Sequence, residues 1–210
     1  MKKQPLSETR RPYQQGARAA AAEATGERIL TAFLARIEAQ WFEDITLEAV
    51  ARDAGVSVQT VIRRFGGKDG LLERAMGLLD RAVQRRRSTE PGGISRAIAV
   101  LTEDYEASGD LVCRLLDQEQ RHPALKVATD AGRVHHRAWL AAVFADWLAD
   151  ADPAVNTARL DALVVATDLY VWKLLRRDMG RPVDAFTTLS ETLVRAVLEK
   201  APRQSMDAPR

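Results

Sequence analysis

Residues 46–72, TLEAVARDAGVSVQTVIRRFGGKDGLL, constrain the chain more tightly than any other stretch. Thr46 is a good N-cap, and Glu43 and Glu48 put negative charge near a helix start, where the dipole favours it. Leu47, Val50, Ala51 and Ala54 recur at helical spacing and predict the inward stripe of one helix. Gly55 marks a turn, because glycine takes a positive φ at little steric cost. Ser57 follows as N-cap of a second short helix with Val61, Ile62 and Phe65 facing in, and Gly66 and Gly67 end it. Such a pair is a device for reading duplex DNA: the second helix enters the major groove with residues near its N-terminus, while the first crosses the backbone.

The surrounding patterns are helical and never alternate as strands do. Ile29, Leu30, Phe33, Leu34, Ile37 and Trp41 form one face of a helix that starts near Thr25. Leu71, Leu72, Ala75, Met76, Leu79 and Val83 mark another, over about 68–87, ending in Arg85, Arg86 and Arg87. The run STEPGG at 88–93 is the clearest break in the chain. Helices are then expected over about 94–107, 110–121, 123–149, 154–179 and 183–200, with Asp110, Pro123, Pro153 and Pro182 near starts and Gly109 and Gly180 near ends. The expected organisation is all-α. A flexible basic arm occupies 1–24, a three-helix helix-turn-helix domain 25–72 with helix 68–87 as connection, a second helical domain 88–201 and a disordered tail 202–210.

Charge and chemistry narrow the function. Residues 1–90 hold 16 basic against 12 acidic side chains and residues 91–210 hold 15 against 17, so the basic half is the half with the motif, as a polyanion partner prefers. The single cysteine, Cys113, excludes an internal disulfide framework, and no apolar run approaches bilayer length, which suits a cytoplasmic protein. His135 and His136 are adjacent and point to different faces of a helix, a poor metal pair. No phosphate loop, zinc spacing or nucleophile elbow is present, so neither cofactor nor catalytic residue is expected; a small all-helical enzyme remains a distant alternative.

The run GVSVQTVIRRFGGKDGLL at 55–72, preceded by TLEAVARDA, resembles the TetR family of bacterial transcriptional regulators. Gly55, Val56, Ser57, Thr60, Phe65, Lys68 and Leu71 meet the family pattern. The resemblance places Val58, Gln59 and Thr60 at the groove-facing start of the recognition helix. Gln59 is then the base reader, through bidentate pairing with adenine, and Val58 a contact for a thymine methyl. It makes Thr46, Ser57, Thr60, Arg63, Arg64 and Lys68 further DNA contacts, most of them to phosphate, although Arg63 and Arg64 also fit a solvated face. One position departs: where the family commonly has a tyrosine that touches phosphate, this chain has Ile62, and the paired arginines are expected to replace that grip. The arm, with Lys2, Lys3, Arg10, Arg11 and Arg18, is a candidate for the minor groove or a plain solubilising tail.

The resemblance also implies a ligand-binding and dimerisation role for the C-terminal half, with a homodimer formed through the last two helices. Leu160, Leu163, Val164, Val165, Leu169, Tyr170, Val171, Trp172, Leu174 and Leu175 leave helix 154–179 little polar face, and Leu189, Leu193, Val194, Val197 and Leu198 stripe the next. A two-fold dimer calls for a palindromic operator in double-stranded DNA. Candidates for an apolar effector pocket are Tyr105, Cys113, Leu116, Asp117, His136, Trp139, Leu140, Val143, Thr167, Asp168, Tyr170 and Trp172. Asp168 stands out as a carboxylate inside an apolar helix, to be paired with an arginine, placed at the dimer surface or left for a ligand. The expected function is a repressor released from its operator by a small molecule, with a ligand-independent regulator of the same fold as alternative.

Overall fold

Ile29, Phe33 and Ile37 are all fully buried, as their spacing requires, and they nucleate the first of two cores. The computed structural model describes residues 11–88 and 93–199, with side chains from residue 16 onward. It is all-α, with no strand among the described residues. The chain divides into two units between Ala75 and Met76.

The first unit contains helix α1 (Arg11–Ala39), a single 3-10 turn (Phe42–Asp44), α2 (Leu47–Asp53), α3 (Val58–Phe65) and the start of α4 (Lys68–Arg87). Its core joins the α1 stripe to Phe42, Ile45, Val50, Val61, Leu71 and Leu72. Phe33 meets Phe42 edge to face at 6.2 Å, the arrangement favoured by the ring quadrupoles. Arg36 pairs with Asp53 at 2.5 Å, tying α1 to the end of α2.

α1 begins at Arg11, well before the expected start at Thr25. Residues 11–24 carry no apolar stripe, so periodicity was silent there. They are alanine-rich, and alanine has the highest helix propensity. The expected arm is thus helical from Arg11. Its Lys2, Lys3 and Arg10, like the expected tail at 202–210, lie outside the described residues.

The second unit comprises the rest of α4 with α5 (Gly93–Gln118), α6 (Pro123–Val143), a 3-10 turn (Ala145–Trp147), α7 (Pro153–Ala166), α8 (Leu169–Lys173), one π-helical turn (Leu174–Asp178) and α9 (Val183–Glu199). One cluster gathers Ile98, Leu140, Phe144, Leu163 and Val194; another gathers Leu101, Tyr105, Cys113, Leu169, Trp172 and Phe186.

Two expected boundaries are corrected. α5 runs unbroken through Gly109, because that glycine answers a packing demand: a Cβ there would lie 2.6 Å from carbons of the Trp172 ring. The apolar stretch 154–179 is instead broken at Thr167 and Asp168. Asp168 takes an extended backbone (ψ 147) and caps α8, its carboxylate accepting from the Tyr170 amide. The break turns Trp172 inward, fully buried, and leaves Tyr170 53% exposed.

Candidate functional site

Local capping sets the geometry of α3. The Ser57 hydroxyl accepts from the Thr60 amide at 3.2 Å and lies 2.9 Å from the Thr60 hydroxyl. Thr46 does the same for α2, accepting from the Ala49 amide at 3.2 Å. Between the helices Gly55 holds φ 66°, and at the end of α3 Gly66 holds φ 79°, both in the left-handed region that glycine occupies without strain. Val61 is fully buried, which fixes the roll of α3 and turns Gln59, Arg63 and Arg64 outward. Val58 and Thr60 are half-buried at its first turn.

Three side chains behave differently from the sequence expectation. Ile62, expected to face in, is 40% exposed, because one buried position per turn is all that so short a helix offers the core. Both arginines are exposed, but the pair is split: the Arg64 guanidinium leans over α1, where a Cβ on Gly26 would come within 2.5 Å of it, whereas Arg63 has no such neighbour at Gly26. Lys68, expected to hold a phosphate, donates from Nζ to the carbonyls of Phe42, Glu43 and Ile45 at 2.7, 3.1 and 3.0 Å. Its ammonium also sits 4.5 Å from the Phe42 ring centroid. An ammonium has three donors, and all three are spent closing the turn before α2. Lys68 is therefore a fastener of the first unit.

The second unit encloses a cavity of about 510 Å³. Its wall comes from Met76–Arg87 of α4, from α5 between Asp104 and Leu116, from α6 between Ala128 and Trp139, and from Asp168, Leu169 and Tyr170. Most of the surface is apolar, supplied by Met76, Leu79, Val83, Val112, Leu115 and Leu116. Of the residues proposed from sequence, Tyr105, Leu116, His136, Trp139, Asp168 and Tyr170 line it. The other six do not, for definite reasons. Cys113 and Trp172 are core, as is Leu140, and Val143 packs against the Leu140 cluster. Thr167 is fully buried with its hydroxyl donating to the Leu163 carbonyl, and Asp117 faces solvent. Burial pushes the Cys113 thiol up to about 11, so it carries no nucleophilic thiolate at neutral pH.

A network at one end of the cavity escaped the sequence reading. Asp104, 1% exposed, accepts from Nε of Arg86 and Nε of Arg87, each at 2.7 Å. The Arg87 guanidinium lies 5.4 Å from the centroids of both Tyr105 and Trp139 and donates through Nη1 to His136 Nδ1 at 3.0 Å. An accepting Nδ1 places the ring proton on Nε2, which reaches the Thr167 hydroxyl at 3.1 Å. Burial, reinforced by the Arg87 charge, lowers His136 to about 3, so the ring is neutral at pH 7. In sequence Arg85–Arg87 are only the end of a helix; the residue that meets Arg86 and Arg87, Asp104, reveals their role.

Comparison with known proteins bears on both units. Residues 29–75 match the model of the bacterial regulatory proteins of the tetR family. The match makes this span a tetR-family regulatory segment. Among curated proteins no sequence matches this chain. Its fold is shared over nearly the whole length with solved structures. A transcriptional regulator from Rhodococcus sp. Rha1 is 20% identical with a TM-score of 0.67, the match covering 84% of this chain and 97% of that one. A tetR-family transcriptional regulator from Streptomyces coelicolor is 15% identical with a TM-score of 0.65, covering 88% and 92%. Every candidate DNA contact, from Thr46 to Lys68, falls in the matched span 29–75, and the whole cavity wall lies beyond it.

Proposed function

We propose that this regulator is a homodimeric, sequence-specific DNA-binding repressor that leaves a palindromic operator when a small molecule fills the cavity of its second unit. The observation that carries the reading is the cavity itself: about 510 Å³, mostly apolar and with a few polar groups, within the range of small-molecule sites. Part of its wall is the later portion of α4, the helix that starts at Lys68 directly after α3. A ligand that favours one position of α4 would bias the DNA-binding form, provided it binds the two forms unequally.

On DNA, Gln59 reads a base edge, with Val58 and Thr60 beside it, while Arg63, Thr46 and Ser57 position the backbone. Arg64 and Lys68 support the domain. Dimerisation uses α7 to α9, which leave Val165, Leu174, Met179, Val183, Leu189 and Leu193 exposed, an apolar set that a second copy would cover.

Selection from random duplex DNA with the full-length protein as bait tests the reading. A palindromic consensus, together with a dimer by light scattering, is the expected result. An asymmetric single-site consensus bound by a stable monomer would refute it.

A further inference from the structure

The cavity wall contains five formally charged side chains and two histidines, and each is already engaged by the protein. Asp104 holds Arg86 and Arg87. Arg133 is matched on Glu119 by two bonds of 2.9 and 2.8 Å and on Asp130 at 2.9 Å, which holds Glu119 down at about 2. Asp80 accepts from the Gln84 amide at 2.8 Å and lies 2.7 Å from His135 Nδ1. Asp168 spends Oδ1 on the Tyr170 amide at 2.8 Å, as the cap of α8. His136 is neutral and committed through both ring nitrogens. An anionic ligand would thus enter an apolar space whose cations, Arg87 and Arg133, are taken, and would leave its own charge desolvated and unpaired, whereas Asp168, whose Oδ1 is held by a backbone amide, keeps its negative charge for a donor.

The hydroxyls narrow the choice further. Tyr105 donates to the Thr167 carbonyl at 2.9 Å, Ser108 to the Asp104 carbonyl at 2.8 Å, and Thr129 to Glu119. Each has spent its single proton on the protein and offers the cavity lone pairs alone. The Gln84 amide gives one of its two protons to Asp80 and adds its carbonyl oxygen as a further acceptor. The rings of Tyr105, Trp139 and Tyr170 supply flat apolar wall.

We infer that the effector is a ring-bearing molecule that carries no negative charge and presents a hydrogen-bond donor, such as a hydroxyl or an ammonium, at one edge. This rests on the reading of the cavity as an effector site and states which chemistry it accepts. Three probes of one shape separate charge from size: 2-naphthol, 2-naphthoate and 2-naphthylmethylammonium, titrated by calorimetry at pH 7 into the full-length dimer. The naphthol and the ammonium are each expected to bind at least about tenfold tighter than the naphthoate, since desolvating an unpaired anion opposes entry. Their binding should be lost in Val112→Trp or, should that variant fail to fold, in Ala128→Phe, both of which fill the cavity. Equal or tighter binding of the naphthoate, binding of none of the three, or binding undiminished in the filled variants would overturn the inference. Such selective binding that leaves the affinity for DNA unchanged supports the ligand class and refutes the effector role alone.

Discussion

The two units solve opposite problems with their polar groups. In the first, α3 keeps Gln59 and Arg63 outward and exposed, and its internal hydrogen bonds serve shape: Ser57 and Thr46 cap helices, and Lys68 closes a turn. In the second, the charges turn inward and satisfy one another, so that Asp104, Arg86, Arg87 and His136 leave the cavity almost wholly apolar. A surface built for a polyanion needs donors that water alone occupies. A cavity built for an organic molecule needs its donors occupied beforehand. On the proposed function, the exposed set recognises and the paired set holds.

Asp104→Ala is the most severe test of that contrast. It strands two guanidiniums, Arg87 being 10% exposed, and should destabilise the second unit by about 3–5 kcal/mol in denaturant unfolding. A loss under about 1 kcal/mol would mean that the arginines find water, and that the wall is less closed than described.

Lys68→Ala comes next, removing three charge-assisted hydrogen bonds at a cost of about 2–3 kcal/mol in the first unit. The salt dependence of DNA binding, measured below the melting transition, should be unchanged. A salt slope reduced by about one, with no change in melting, would return Lys68 to the phosphate backbone.

Gln59→Ala should cost about 1–3 kcal/mol on the selected operator and nothing on random duplex. Arg63→Ala should weaken both alike and lower the salt slope by about one. If Arg64→Ala instead mimicked Arg63→Ala in the salt slope, its folded-back position against Gly26 would not be the one used on DNA.

The mildest expectation concerns pH. His136 has its folded-state pKa lowered to about 3, below the ordinary value of 6.5, so the unfolded chain binds the extra proton between these limits. Stability contributed by the neutral ring is full above about pH 6.5 and falls as pH drops towards 3, by up to about 1.4 kcal/mol per pH unit. Urea midpoints at pH 7.5 and 5 should differ accordingly, and His136→Gln should flatten the difference. A His136→Gln protein with the same pH slope would place the titrating group elsewhere.

Much of the first unit could be read from the chain because its determinants are local. A capping hydroxyl acts on an amide three residues on, and a glycine acts on its own φ; Thr46, Gly55, Ser57 and Gly66 therefore announce α2 and α3 without reference to anything distant. The contacts of Lys68 were not legible, because its partners are backbone carbonyls 23–26 residues away, which no pattern of side chains records. In the second unit, half of the proposed pocket residues line the cavity and half do not. An apolar stripe says that a residue is covered and is silent on whether by core or by an empty space. Leu140 and Leu116 are alike in sequence; one is fully buried in a cluster and the other faces the cavity.

Sequence alone determined the all-helical class, the caps and turn of the α2–α3 pair, and the likeness to the tetR family that rests on them, since each depends on contacts within a few residues. Tertiary structure decided the rest. It joined two expected helices into α5 because Gly109 makes room for Trp172, and it broke another at Asp168 to form a cap. It also buried Arg87 between two rings against Asp104. These outcomes turn on which side chains meet across the fold, and burial assigns an unpaired charge or a missing methyl its cost only once those neighbours are in place.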